Sequence, residues 1–291
     1  MRSVFQFWLW VCLASPVAAW AVSPYITGYR MQARGLPAVM QAGEARLAAQ
    51  QFEILGRHQP MGLPSHATVI ATDKRLREAV RQVGGSAVVG AVVRVGVRAD
   101  GATFYANPDY WQRAYFRRRF ESVQPLVADV QRRLGQAMGV GTHFGGDEPP
   151  LALADYRYMI GMETFASDKN ELGSFPSFDA ALQTIRGNLG RHAAGTALAY
   201  ELVLPDRKLA VFGVTMNDPR TGEASWLRKL GPDHIAAMPY EIYVVDRQAG
   251  ALYGRYRIAL GWPALDMRTF MGIRDVPEQI RETLSAVTRA P

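Results

Sequence analysis

The chain has 291 residues, 48% hydrophobic and 20% charged, with a formal net charge of +7 and one cysteine, Cys12. That length suits one large or two medium domains and is ample for a buried core. Cys12 lies inside an N-terminal apolar run, so removing that run leaves no thiol. Disulfides, cysteine-ligated zinc, iron–sulfur clusters, covalent c-type haem and a cysteine nucleophile are then excluded together.

In chain order, Met1 and Arg2 precede an uncharged apolar stretch from Val4 to Val17, and Pro16 leads to Ala19-Trp20-Ala21. That order reads as a signal peptide over 1–21, cleaved after Ala19 or Ala21, and predicts a periplasmic or secreted protein. Leu9-Trp10-Val11 before Cys12 is a poor lipoprotein match, because Trp10 is bulky where a small residue is usual. Arginine supplies nearly all the positive charge, lysine occurring only at 74, 169, 208 and 229. A basic exported protein is drawn to anionic membrane surfaces or acidic partners; nucleic acid is excluded as a partner by the compartment.

A first helix is predicted in "LPAVMQAGEARLAA" from Leu36, where Leu36, Met40 and Leu47 share a face. "GLPSHATVIAT" (62–72) reads as a turn and an apolar strand, and "GAVVRVGVRADGATFY" (90–105) as a hairpin about Gly101. "ANPDYW" follows, in which Pro108 ends the ladder, Asp109 caps the next helix, and Tyr110 and Trp111 pack back on the sheet; Asn107, Pro108, Asp109 and Tyr110 are therefore read as a structural corner. The stretch 115–138 reads as a basic helix kinked near Pro125, with Arg117 to Arg119, Arg132 and Arg133 on a solvated face or a membrane surface. The Gly/Pro-rich segment 139–155 reads as a linker.

The second half repeats the theme. Predicted elements are a strand over 156–165, a helix over 177–192 capped by Ser177, strands over 196–204 and 209–216, a helix over 226–237, strands over 240–246 and 252–262, and a helix over 276–287. "VLPDRKLAVFG" (203–213) matches 62–72 at a shift of 141 to 142 residues, and "PYEIYVVDRQAGALYG" (239–254) matches 90–105 at a shift of 149. The chain therefore reads as a tandem repeat, 24–138 and 156–291. Adjacent hairpins with one-sided helices make each unit an α+β two-layer sandwich, an antiparallel sheet with helices on one face.

"VIATDKRLREAVRQVGGSAVVGAVVRVGVRADGATFYANPDYW" resembles the core of the uncharacterised family called domain of unknown function 302, and "MPYEIYVVDRQAGALYGRYRIALGWP" resembles its Leu-Pro strand and hairpin. Gly90 stands where the family has proline, and "ALGWPAL" replaces Asn-Pro-Asp-Tyr in the second copy. The resemblance implies an α+β fold and paired domains, and no established reaction, cofactor or catalytic residue.

For chemistry, a turn at Arg247 to Gly250 places Glu241, Tyr243 and Val245 on one sheet face with Tyr253, Arg255 and Arg257. Glu241, Tyr243, Tyr253, Arg255 and Arg257 are the candidate ligand site, where arginines take an anion or acidic partner; the alternative is an exposed sheet with weak ion pairs. The corresponding first-copy positions are Val92, Arg94, Gly96, Phe104, Ala106 and Pro108. His58, His66, His143, His192 and His234 show no metal-ligand spacing, and His143 with Asp147 and Glu148 is at most a weak cation site. Met159 and Met162 point to opposite faces of the predicted strand, so they read as packing rather than haem or copper ligands. No Gly-x-Ser-x-Gly elbow or phosphate loop occurs. The expectation is an exported binding or interaction protein without a catalytic residue or cofactor, serving an envelope partner or a small anionic ligand. The alternatives are an enzyme at the Glu241/Arg255/Arg257 face and a haem or metal carrier.

Overall fold

The computed structural model describes residues 21–290, so the predicted signal segment lies outside them apart from Ala21. The described chain is an α+β protein with two antiparallel sheets. The first half runs β1 (Tyr25–Thr27), α1 (Leu36–Ala49), β2 (Glu53–His58), β3 (His66–Thr72), α2 (Lys74–Val83), a 3-10 segment (Gly85–Gly90), β4 (Val93–Arg98), β5 (Thr103–Ala106), α3 (Pro108–Phe116) and α4 (Phe120–Met138). A short β6 (His143–Phe144) in the connecting segment pairs with β1. The second half runs β7 (Glu171–Ser174), α5 (Phe178–Gly190), β8 (Thr196–Leu204), β9 (Leu209–Met216), α6 (Glu223–Leu230), a 3-10 segment (Pro232–Ala237), β10 (Tyr240–Val245), β11 (Gln248–Gly250), α7 (Gly254–Gly261), α8 (Met267–Gly272) and α9 (Val276–Thr288).

The strand order is β2-β3-β4-β5-β1-β6 in one sheet and β7-β11-β10-β9-β8 in the other. Apart from β6, the two orders coincide element for element. Local sequence sets the helix starts: Asp73 caps α2 through the Arg75 N–H, and Ser177 caps α5 through the Ala180 N–H at 3.1 Å. One face of the first sheet (Ile26, Val69, Val95, Tyr105) is covered by α1 and α4 through Leu36, Leu47, Val130 and Leu134. In the second half, α5 and α9 pack together against β8, β10 and β7. The remaining faces carry the junction: the 3-10 segment of the second half lies on β3 and β4, and that of the first half lies on β9 and β10. Thr68 Oγ1 donates to Ile235 O at 2.8 Å and fixes the first of these contacts.

Edge strands β2 and β8 also abut, each at a register break, between Ile54 and Gly56 and between Leu198 and Tyr200. A Cβ on Gly56 would collide with the Ala199 carbonyl oxygen, so the close approach requires glycine there.

Four predicted elements differ. The strand expected over 156–165 is irregular chain, and β7 begins only at Glu171. The stretch 252–262 is helix α7 rather than a strand: Asn170 Oδ1 accepts the Tyr253 N–H at 2.8 Å, which starts a helical turn directly after the three-residue β11. The basic helix breaks at Arg117, whose φ of 53° ends α3, while Pro125 is accommodated within α4. The helix expected over 226–237 likewise divides at Gly231, at φ 101°.

Candidate functional site

The 107–110 corner opens α3. Asn107, not Asp109, is the cap: its Oδ1 accepts the Asp109 N–H at 3.1 Å and its Nδ2 donates to Ser23 O at 2.8 Å. Pro108 sits in the first turn, where its missing N–H costs nothing. Asp109 instead accepts from Arg113 Nε at 2.9 Å. Trp111 Nε1 donates to Pro24 O, and Tyr110 Oη reaches across to Leu260 O of α7, both at 2.9 Å. The second half returns this last contact: Tyr256 Oη donates to Ala114 O at 3.4 Å. Tyr110 and Tyr256 are each the third residue of their helix, and Ala114 and Leu260 each the seventh. Such exchange of equivalent contacts is the signature of an isologous interface.

The same reciprocity places the predicted polar residues. Arg94 and Glu241 are the second residues of β4 and β10, and they form an ion pair with each other. Arg94, and not Val92, is thus the counterpart of Glu241. Trp111 and Arg257 are the fourth residues of α3 and α7, and the guanidinium lies 4.7 Å from the indole. Arg257 also reaches Glu241 Oε2 at 3.5 Å and donates to Ala237 O. Arg94 and Arg257 are 1% exposed and Glu241 3%.

The five candidate residues therefore do not share an exposed face. Glu241 and Arg257 are buried between the halves. Tyr243 is half-buried in β10 against Gly250, and burial pushes its phenol up to about 12. Tyr253 precedes α7 and donates its hydroxyl to Glu278 at 3.1 Å, while Arg255 pairs with Glu163 at 2.7 Å on the outer side. The expectation failed because it required 252–262 to be a strand. It also missed Arg94, Tyr115, Tyr200 and Tyr240, which surround the ion pair; a lone arginine in the apolar run Val92-Val93-Arg94-Val95 was the available signal.

The open site is a cleft of about 590 Å³ at the junction, lined by Thr27, Arg30, Arg98, Phe104 and Phe144 from one side and Pro232, Asp233 and His234 from the other. Arg98 organises its polar edge: it grips both oxygens of Asp100 at 3.0 and 2.9 Å and reaches Asp233 Oδ1 at 3.0 Å, while Arg30 holds Asp100 at 2.9 Å. The hydrogen bond from Arg98 holds the Asp100 carboxyl well below the usual carboxylate range. His66 Nε2 lies 3.4 Å from Asp233. At the apolar end, His234 stacks on Tyr25 at 4.9 Å and on Phe144 at 5.6 Å. Burial pulls its imidazole down to about 4, so it is a neutral ring at pH 7. The hydroxyls of Thr27 and Thr103 both donate to backbone carbonyls, which leaves neither poised as a nucleophile.

Elsewhere, Arg117 and Arg118 pair with Asp155, Arg119 donates to Gln82 O and Val83 O, and Arg133 is buried on Asp73. His143 is exposed in β6, and Asp147 accepts from Ser23. Met159 and Met162 lie in the irregular chain before β7. Among the described residues, no cluster of three or more His, Cys, Asp or Glu is placed to hold a metal, and no helix is long and apolar enough to cross a membrane. No family model, curated protein or solved structure matches this chain. The resemblance to domain of unknown function 302 rests on the residues quoted for it.

Proposed function

We propose that this is an exported, non-enzymatic binding protein built from two copies of one unit, which takes a small ligand into the cleft between them. The observation that carries the reading is that cleft of about 590 Å³, formed by both halves, with an aromatic end at Phe104, Phe144 and His234 and an arginine edge at Arg30 and Arg98. Sites of this size at a domain junction, apolar with a few convergent polar groups, are the usual form of small-molecule sites. The chemistry that fits is a small anion with an apolar body: the rings take the body and Arg98 and Arg30 the charged group. A catalytic role for Glu241 has no support, since its carboxylate is 3% exposed and already held by two arginines.

The test is isothermal calorimetry of the mature chain against benzoate, short-chain carboxylates and aromatic amino acids, with native mass spectrometry of protein purified from envelope extract. The expected result is a 1:1 complex that Arg98→Ala weakens roughly tenfold or more, the value of a lost charge-assisted contact. No binding across the panel together with no co-purified ligand overturns the reading.

A further inference from the structure

The interior between the halves holds more cationic charge than it neutralises. Arg94 and Arg257 share a single carboxylate, Glu241, and all three side chains are at most 3% exposed. Arginine stays protonated in protein interiors, so the cluster carries one uncompensated positive charge. Buried charges of this kind are found paired or hydrogen-bonded, because leaving one alone is strongly unfavourable.

Each of the groups around it can donate a hydrogen bond, and the two guanidinium nitrogens can do nothing else. Arg94 Nε, Arg257 Nε and the hydroxyls of Tyr115, Tyr200 and Tyr240 are buried, and none has a hydrogen-bond partner among the described residues. They are neighbours: the Arg257 guanidinium lies 5.5 Å from the Tyr240 ring and 4.7 Å from that of Trp111, the Trp111 ring lies 5.7 Å from that of Tyr115, and Tyr200 and Glu241 flank Gly213 from either side in the sheet. Burial pushes the Tyr200 phenol up to about 12 and raises that of Tyr240, against the opposing pull of the arginines, so both hydroxyls keep their protons. Five unpartnered groups that can donate, beside one surplus positive charge, call for an acceptor that also carries negative charge, which water does not supply.

We propose that this cluster is an internal anion site, binding one small monovalent anion of halide size on Arg94, Arg257, Tyr115, Tyr200 and Tyr240. It is separate from the open cleft and does not depend on what the cleft binds. Its place on the reciprocal contacts of β4, β10, α3 and α7 makes the anion a clamp between the halves, so occupancy is read out as stability.

The experiment uses the mature chain, exchanged into sodium gluconate, whose anion is far larger than a halide, and then titrated with sodium bromide at constant ionic strength. Expected is a saturable rise in Tm with bromide, and one anomalous bromide peak within hydrogen-bonding distance of the five donors in crystals grown in bromide. Tyr200→Phe and Tyr240→Phe keep the rings and should each weaken bromide roughly tenfold or more, the value of a lost hydrogen bond to a charged group. A Tm indifferent to bromide, density among the five donors that lacks an anomalous signal, or a bromide response unchanged in both phenylalanine variants overturns the proposal.

Discussion

The two halves share an element order and a strand order, yet at the positions where they meet they carry different chemistry. Tyrosine stands at the third position of both α3 and α7, and each donates to the other helix. At the second position of β4 and β10, however, one half has Arg94 and the other Glu241, and at the fourth helical position one has Trp111 and the other Arg257. What is alike is the hydrogen bonding that fixes geometry; what differs is charge and ring, arranged so that each unlike residue meets its counterpart. Two copies of the first half would set Arg94 against Arg94 in the interior, so the unlike charges make each half specific for the other.

The most direct way to break this arrangement is Glu241→Ala. It leaves Arg94 and Arg257 facing each other without a carboxylate, and the expected loss in urea unfolding is about 3 to 5 kcal/mol. Adding Arg94→Met to the same chain removes one of the stranded charges and should recover part of that loss. If Glu241→Ala costs less than about 1 kcal/mol, the pairing of unlike charges is not what holds the halves together.

Much of the fold was legible because its signals are local. Ser177 announced α5, and the runs 196–204 and 209–216, rich in Val, Leu and Phe, are strands over the bounds read from the sequence. α7 was misread for a physical reason: Tyr256, Arg257, Ile258, Ala259 and Leu260 are all buried, so the helix has no solvent face to impress a 3.6-residue period. The alternation Arg255, Tyr256, Arg257, Ile258 then imitates a strand. The candidate site failed with it, since its face existed only if 252–262 was extended. Arg94 stood in the sequence as a charge among valines, but its partner is in the other half of the chain, and only the reciprocal packing brings the two together.

The 3-10 segments sharpen the comparison in a different way. The third residue of each is Ala87 in the first half and His234 in the second, so at that position only the second can titrate. Burial lowers the folded pKa of His234 to about 4, against an ordinary value near 6.5. The unfolded chain thus takes up a proton near pH 6.5 while the folded one resists until about pH 4. Stability from this group is complete above pH 6.5 and is lost as pH falls through that window, by about 3 kcal/mol. His234→Phe keeps a ring against Tyr25 and Phe144 and should flatten the acid limb of the wild-type urea midpoint between pH 6.5 and 4, with Asp233 still present in both proteins. Parallel pH profiles for the two would place the acid sensitivity elsewhere.

The smallest effect tests the reciprocity itself. Tyr110→Phe and Tyr256→Phe each delete one hydroxyl and no packing, so each should cost about 1 to 2 kcal/mol at unchanged m-value. The bond from Tyr110 is the shorter, 2.9 against 3.4 Å, and its loss should be the larger of the two. The carbonyls they leave, Leu260 O and Ala114 O, lie in the last turns of α7 and α3, where no N–H four residues on continues the helix, so each loses its partner and the cost runs above the net value of one bond. A Tyr110→Phe loss with no Tyr256→Phe loss would mean that the junction is held from one side, and that the likeness of the two helices is one of shape without shared energetics.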